Sequence, residues 1–366
     1  MIINTAQGGG GYGTLPAQIS NFYATIGAAS VKLTWSNPAD ENFAGVLIVR
    51  KTGSYPAKPG DGTKIYQGTA QTYTDTGLEN GTQYYYRAFS YNSKHEYQTE
   101  YCVATMTPQA GYTLGSFPVG TKIKFGSVSG NPSGNPIVQK IVNKSGNDIT
   151  LISNGVVGTY AFDAMEPLNS DSNRQSKGNN RYKYSNIHQW LNSDAGAGSW
   201  YTAQHSADQA PDSTSVVSAN PYSSKAGFLN GFSTKEKNYL KTKTVTVGIP
   251  SLDGGGTETI TARIWLPSGT EVGYTGFGYT EGTQLSAFSD DASRISSPVA
   301  NYLLRTPHSS TSTSYTSIVR AVNTAGAQSY VDAYNGGTYG VRPLCVLDSS
   351  VLCSLSVDGN GCYTVL

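Results

Sequence analysis

The stretch Val31-Lys32-Leu33-Thr34-Trp35 alternates apolar and polar residues and stops at Asn37-Pro38. A period of two puts every second side chain on one face, so this segment reads as a half-buried strand and not a helix. Ala44 to Val49 is almost continuously apolar, the pattern of a strand covered on both faces. The turn signals Asp61-Gly62 and Glu79-Asn80-Gly81 lead into Tyr84-Tyr85-Tyr86-Arg87-Ala88-Phe89, where the period of two resumes. Short strands punctuated in this way predict an all-β sandwich over residues 15–108.

The same residues carry a family likeness. Leu33-Thr34-Trp35-x-x-Pro38, followed by Asp75-Thr76-Gly77-Leu78-Glu79-Asn80-Gly81-Thr82-x-Tyr84-Tyr85-Tyr86, resembles fibronectin type III domains. The resemblance implies that Trp35 packs in the core with Leu78, and that Tyr84 or Tyr86 caps the sheets. It implies a spacer or presenting module, since a fold alone names no function.

Residues 1–14 read as a flexible tail. Their run Gly8-Gly9-Gly10-Gly11-Tyr12-Gly13 has the spacing of a dinucleotide-binding loop, but no strand signal precedes it and no helix signal follows. The segment Met1-Ile2-Ile3-Asn4 lacks the basic and apolar regions of a secretory leader. No apolar run approaches the ~18 residues of a spanning helix. The expectation is a protein carried on a virion, a phage tail or phage surface, and released by lysis, or else an extracellular or cell-surface protein. Lys and Arg total 25 against 24 Asp and Glu, a formal net charge of +1. Such a balance offers no field for nucleic acid or an anionic membrane, so neither nucleic-acid binding nor membrane insertion is expected.

Residues 110–366 read as a second, α+β domain. Thr121–Phe125 is strand-like, and Ile137–Val142 and Ile149–Ser153 flank a turn at Lys144-Ser145-Gly146-Asn147-Asp148. Ile187, Trp190 and Leu191 recur at helical spacing behind Ser185, a good N-cap. Ser233-Thr234-Lys235-Glu236 is a capping box, and Ser268-Gly269-Thr270-Glu271 has the same form after a strand-like Thr259–Leu266. Ile318–Val322, Tyr330–Ala333 and Val341–Leu347 read as strands joined by Asn/Gly turns.

Five segments in order resemble a family of C-type-lectin-like domains of bacteria and bacteriophages. They are Tyr184-Ser185-Asn186-Ile187-His188-Gln189-Trp190-Leu191-Asn192, Phe232-Ser233-Thr234-Lys235-Glu236-Lys237, Ile264-Trp265-Leu266-Pro267-Ser268, Tyr302-Leu303-Leu304-Arg305-Thr306-Pro307 and Tyr339-Gly340-Val341-Arg342-Pro343. Members of this kind are similar to the variable proteins of diversity-generating retroelements, in which adenine-directed mutagenesis rewrites a C-terminal stretch. The resemblance implies that residues 301–340 are that stretch. Half of those forty residues are Ser, Thr, Tyr or Asn, and Lys, Glu, Met and Trp are absent. The competing reading is an ordinary low-charge β region, in a chain rich in Ser, Thr and Tyr throughout.

Within this stretch Leu303, Leu304, Ile318, Val319 and Val322 fit the core. Arg305 and Arg342 fit buried positions donating to backbone carbonyls. The expected ligand-binding residues are Ser309, Ser310, Ser312, Ser314, Tyr315, Asn323, Gln328, Tyr330, Asp332, Tyr334, Asn335 and Tyr339. Strand alternation places Tyr330, Asp332 and Tyr334 on one face, with Tyr315 and Tyr339 flanking it. Tyr among small polar residues suits a protein or glycan ligand, as in antibody paratopes.

No metal or cofactor is expected. Four histidines are scattered, none with a second ligand at i+4 or an obvious carboxylate pair. Asp290-Asp291 lacks the spaced ligands of a calcium loop. The sugar-binding Glu-Pro-Asn signature of calcium-dependent lectins is missing as well. Cys102, Cys345, Cys353 and Cys362 form no C-x-x-C pair and read as buried thiols, with one disulfide among the last three as the alternative. Formylglycine-generating enzymes share the lectin-like fold, but Cys345 lies in a core-like strand and no basic neighbours would activate a thiol. The chain therefore reads as a non-enzymatic, phage-associated receptor-binding protein. Its partners would be a host cell-surface protein or glycan and, through the N-terminal region, a virion or tail protein. The alternatives are a bacterial carbohydrate-binding or adhesion module of fixed specificity, and a virion decoration protein.

Overall fold

A computed structural model describes residues 14–100, 102–128, 134–217, 220–308, 315–335 and 337–366. The chain divides into two compact units, residues 1–112 and 113–366. Among the described residues no helix is long and apolar enough to cross a membrane.

The first unit is built from β1 (Ser20–Gly27), β2 (Ser30–Ser36), β3 (Gly45–Thr52), β4 (Thr63–Gly68), β5 (Thr72–Thr76), β6 (Tyr84–Tyr91) and β7 (Val103–Met106). A three-stranded sheet of order β1-β2-β5 faces a four-stranded sheet of order β4-β3-β6-β7. This is the sandwich that the alternating pattern predicts. The inward residues of β2, Val31, Leu33 and Trp35, meet Val46, Ile48, Tyr86 and Ala88 of the other sheet, with Leu78 closing one end. Tyr86 is the core tyrosine, and its hydroxyl donates to Asp75 Oδ2 at 3.0 Å. Tyr84 instead accepts the Glu79 N–H at 3.1 Å and fastens the turn before β6. Arg50 pairs with Asp75 at 2.8 Å, so the buried carboxylate is satisfied from two sides.

Strand β8 (Tyr112–Thr113) straddles the division, and the second unit continues with β9 (Lys122–Ser127), β10 (Pro136–Ser145) and β11 (Asp148–Ser153). The helices α1 (Ser172–Lys177), α2 (Asn186–Leu191) and α3 (Thr234–Tyr239) follow. Then come β12 (Lys243–Gly248), β13 (Thr257–Ala262), β14 (Ile264–Trp265) and α4 (Asp291–Arg294). The chain closes with β15 (Asn301–Pro307), β16 (Ile318–Val322), β17 (Gln328–Asp332), β18 (Tyr339–Gly340), β19 (Leu344–Asp348), β20 (Leu352–Cys353) and β21 (Tyr363–Thr364). One sheet runs β14-β19-β11-β10-β9-β21 and another β17-β16-β15-β18. The expected hairpin is β10–β11, turning at Gly146-Asn147 with Gly146 at φ 55°.

Ser185 caps α2, accepting the His188 N–H, and Ser233 with Glu236 forms a complete capping box on α3. The third helix signal is corrected. Ser268 and Glu271 exchange the same reciprocal bonds at 3.0 Å, yet only one turn forms. Gly273, at φ 82°, takes the chain out of helical conformation, and Glu271 is drawn to Arg305. Asp290 is the N-cap of α4.

Long loops between these elements are packed by aromatic rings. Trp200 stacks on Tyr222 at 5.5 Å, Tyr222 meets Trp190, and Trp190 meets Phe228. Cys345, Cys353 and Cys362 are buried free thiols, and burial pushes Cys345 and Cys353 up to about 12.

Candidate functional site

The sheet β17-β16-β15-β18 carries the residues expected to bind. Arg305 on β15 anchors it from within. Its side chain is fully buried and donates to the carbonyls of Thr246, Leu266 and Glu281 and to Glu271 Oε2. Arg342 likewise donates to the Ser153 and Arg294 carbonyls and lies over the Tyr302 ring. Both arginines hold loops to the sheet, as their sequence context implies.

Strands β16 and β17 pair as a hairpin with Arg320 opposite Tyr330 and Val319 opposite Val331. Val319 and Val331 are buried, whereas Tyr330, on the other face, is 56 % exposed. Beside it, the His308 ring stacks on Tyr315 at 4.3 Å and 10° and meets Tyr330 edge-on at 5.8 Å. Arg320 lies over Phe277, and its Nε and His308 Nδ1 are buried without a hydrogen bond. Burial, then the Arg320 charge, lowers the His308 pKa, so its ring is neutral near pH 7. Burial lowers that of Arg320 too. The result is an aromatic cluster in which Tyr330 is exposed and His308, Tyr315 and Arg320 are half-buried. The Tyr330 ring can stack on a flat or sugar-like apolar face.

The remaining expected residues scatter around this patch. Gln328 shares the Tyr330 face of β17 and is exposed. Asp332 accepts from Ser317 Oγ at 3.1 Å and pairs with Lys177 at 3.5 Å. Tyr334 and Asn335 lie just beyond β17, with the Tyr334 N–H on the Lys177 carbonyl. Asn323 is used by the fold, for its Oδ1 accepts the N–H groups of Ala325 and Ala327 and closes the β16–β17 turn. Tyr339 does not flank Tyr330. Its hydroxyl meets Ser329 Oγ at 3.0 Å, and Ser329 points away from the Tyr330 face. Ser309, Ser310, Ser312 and Ser314 lie outside the described residues.

His308 and Arg320 were not among the expected binding residues, although Arg320 follows from pairing Tyr330 across the hairpin; His308 arrives from the end of β15, its N–H on the Ile318 carbonyl. A second cluster was missed outright. Glu166, His205 and Asp208 converge, with His205 Nδ1 at 2.6 Å from Asp208 Oδ1 and Nε2 at 3.5 Å from Glu166 Oε1. The expectation that no histidine has carboxylates nearby is therefore corrected. Asp208 is three residues from His205, and Glu166 arrives from a distant loop that spacing alone does not reveal.

The first unit is a three-plus-four β-sandwich, and its solved neighbours are fibronectin type III domains. The structure called FN3tt is 19 % identical, covering 27 % of this chain and 99 % of that one at TM-score 0.22. An Fn3-like protein from Clostridium thermocellum is 23 % identical, over 26 % of this chain and 92 % of its own, at TM-score 0.19. A fibronectin type III domain of the human KIAA0970 protein is 19 % identical, over 25 % and 73 %, at TM-score 0.22. No curated protein matches the chain. Residues 147–349 match the family model described as Domain of unknown function (DUF6273). That match spans more than half of the sequence, and the chain belongs to this family.

Proposed function

We propose that this protein is a non-enzymatic receptor-binding or adhesion protein, its first unit presenting a C-type-lectin-like second unit whose β16–β17 face contacts the ligand. The observation that carries the reading is exposed Tyr330, on a strand face opposite the core, with half-buried His308 and Tyr315 stacked beside it. Rigid aromatic anchors with small polar neighbours are the composition of binding hot spots. The ligand would be a host cell-surface protein or glycan. The composition of residues 301–340 favours a retroelement-diversified surface on a phage-borne protein, attached to a virion or tail protein through its N-terminal region. The second reading is an adhesion module of fixed specificity, favoured by the use of Asn323 in the turn, which ties one candidate position to the fold.

Deep sequencing of codons 301–340 across a natural population carrying the gene tests the reading. Substitutions confined to template-adenine positions, with the Val319 and Val331 codons unchanged, are expected. A uniform stretch would overturn diversification, and glycan-array binding would then identify a fixed-specificity module.

A further inference from the structure

We infer that the β16–β17 face takes a carboxylated saccharide, with the sugar ring on Tyr330 and the carboxylate on Arg320. The inference deepens the receptor-binding reading and rests on it. The chain has nine arginines. Eight of them end on a carboxylate or on backbone carbonyls. Arg320 does neither. Among the described residues it has no acid within ion-pair distance and no hydrogen bond, and its guanidinium lies 5.8 Å from the Phe277 ring centroid.

A fully exposed guanidinium without a protein acceptor is ordinary, because water serves it. Arg320 is half-buried, and burial lowers its pKa. It has therefore given up water on one side with no counter-charge in exchange. Of its nitrogens, Nε is the one buried without a bond, which leaves the Nη1–Nη2 edge for an anion. Two parallel N–H groups on that edge match the two oxygens of a carboxylate.

The register points to a sugar acid as the carrier of that carboxylate. Arg320 and Tyr330 stand directly opposite each other on neighbouring strands and share the outward face. Directly opposed residues have Cβ atoms about 5 Å apart. A pyranose whose apolar face lies on the 56 % exposed Tyr330 therefore carries an exocyclic carboxylate to the Arg320 edge. An acidic peptide side chain would need the arginine alone and leave the ring unused.

The other charges of this face are already met. Asp332 accepts from Ser317 Oγ and pairs with Lys177, so it does not serve Arg320 and Lys177 is not free for an anion. His308, edge-on to Tyr330, is neutral near pH 7 and adds no second cation. Arg320 is thus the charge that the face offers to a ligand.

Saturation-transfer NMR at pH 7 tests it, titrating the full chain with glucuronic acid and N-acetylneuraminic acid against glucose and N-acetylglucosamine. The acids are expected to bind about tenfold or more tightly than the neutral sugars. Arg320→Gln should erase that preference, and Tyr330→Ala should weaken acidic and neutral sugars alike. Tyr23→Ala, which removes an exposed ring of the first unit, should bind as the parent does. Circular dichroism confirms that each variant folds. If Arg320→Gln does not, the parent decides: raising the salt must weaken the acids and leave the neutral sugars unchanged. The proposal is overturned if acidic and neutral sugars bind alike, if Arg320→Gln keeps the preference, or if a tetraglutamate peptide binds and the sugar acids do not. Labelled parent protein counted on host cells separates the two readings. Cells bound with no preference for sugar acids overturn the saccharide alone, whereas neither cells nor sugars bound overturns the receptor-binding reading with it.

Discussion

Arg305 Nη1 donates to Glu271 Oε2 at 2.6 Å in the interior of the second unit, and the same guanidinium ends on three carbonyls from separate segments. Removing one partner of a buried ion pair leaves a charge with nothing to meet it. Arg305→Ala is expected to cost about 3–5 kcal/mol. Arg305→Lys should recover little of this, because an ammonium cannot reproduce the fork of donors. Urea unfolding of both variants measures the loss, and a cost under about 1 kcal/mol would contradict the structural role.

In the first unit, Tyr86→Phe removes one hydroxyl from Asp75 and leaves the Arg50 pair in place. The expected loss is about 1.5–3 kcal/mol, the range of a hydrogen bond to a charged group. Chemical denaturation of residues 14–112 within the full chain, followed by Trp35 fluorescence, reads it.

Tyr330→Ala separates binding from folding. An exposed strand residue away from the core should change stability by no more than about 0.5 kcal/mol. If the patch is a hot spot, affinity for the receptor-bearing cells should fall about thirtyfold or more. Labelled protein counted on cells by flow cytometry gives the answer. Unchanged binding with unchanged stability would remove Tyr330 from the site.

His188 gives a pH signature. Its ring packs on Tyr182 at 5.0 Å, and burial lowers its pKa to about 4. A group held below its unfolded value contributes stability that is full above pH ~6.5 and is lost as pH falls toward about 4. Because His188 as a residue is half-buried, a discounted loss of about 1–2 kcal/mol is expected. His188→Gln should flatten that part of a thermal-melt series between pH 7 and pH 4, and an unchanged slope would assign the dependence elsewhere.

The cysteines offer a simple check. With Cys345, Cys353 and Cys362 buried and free, native protein should react slowly with a thiol reagent. Denaturation should then release all four thiols without reductant. Fewer than four would reveal a disulfide.

Local periodicity carried the sandwich: Val31, Leu33 and Trp35 alternate because they line one sheet face, and they are buried where alternation puts them. Capping chemistry carried α2 and α3, since Ser185, Ser233 and Glu236 act on their own backbone. The same logic failed at Ser268 because Gly273 and Arg305, one a conformational exit and the other a distant charge, compete for the turn. α1 went unseen because its apolar spacing is weak and its cap, Asp171, stands in a polar run. Tyrosine composition was a poor guide by itself. Tyr182, Tyr222 and Tyr302 are wholly buried, while Tyr330 is exposed, and only strand register separates the two uses. Glu166 and His205 meet through long-range folding, which leaves no trace in spacing.

The β16–β17 register has a consequence for how such a surface can change over generations. Val319 and Val331 face inward as a pair, and Arg320 and Tyr330 face outward as the next. The Tyr330 codon can drift without touching the interior, whereas Arg320 leans on buried Phe277, and the inward pair and the Asn323 turn act as a fixed ruler that keeps a new side chain at the same address. Novelty at Tyr330 therefore need not be compensated in the core beneath it, which is the economy that the proposed binding face would exploit.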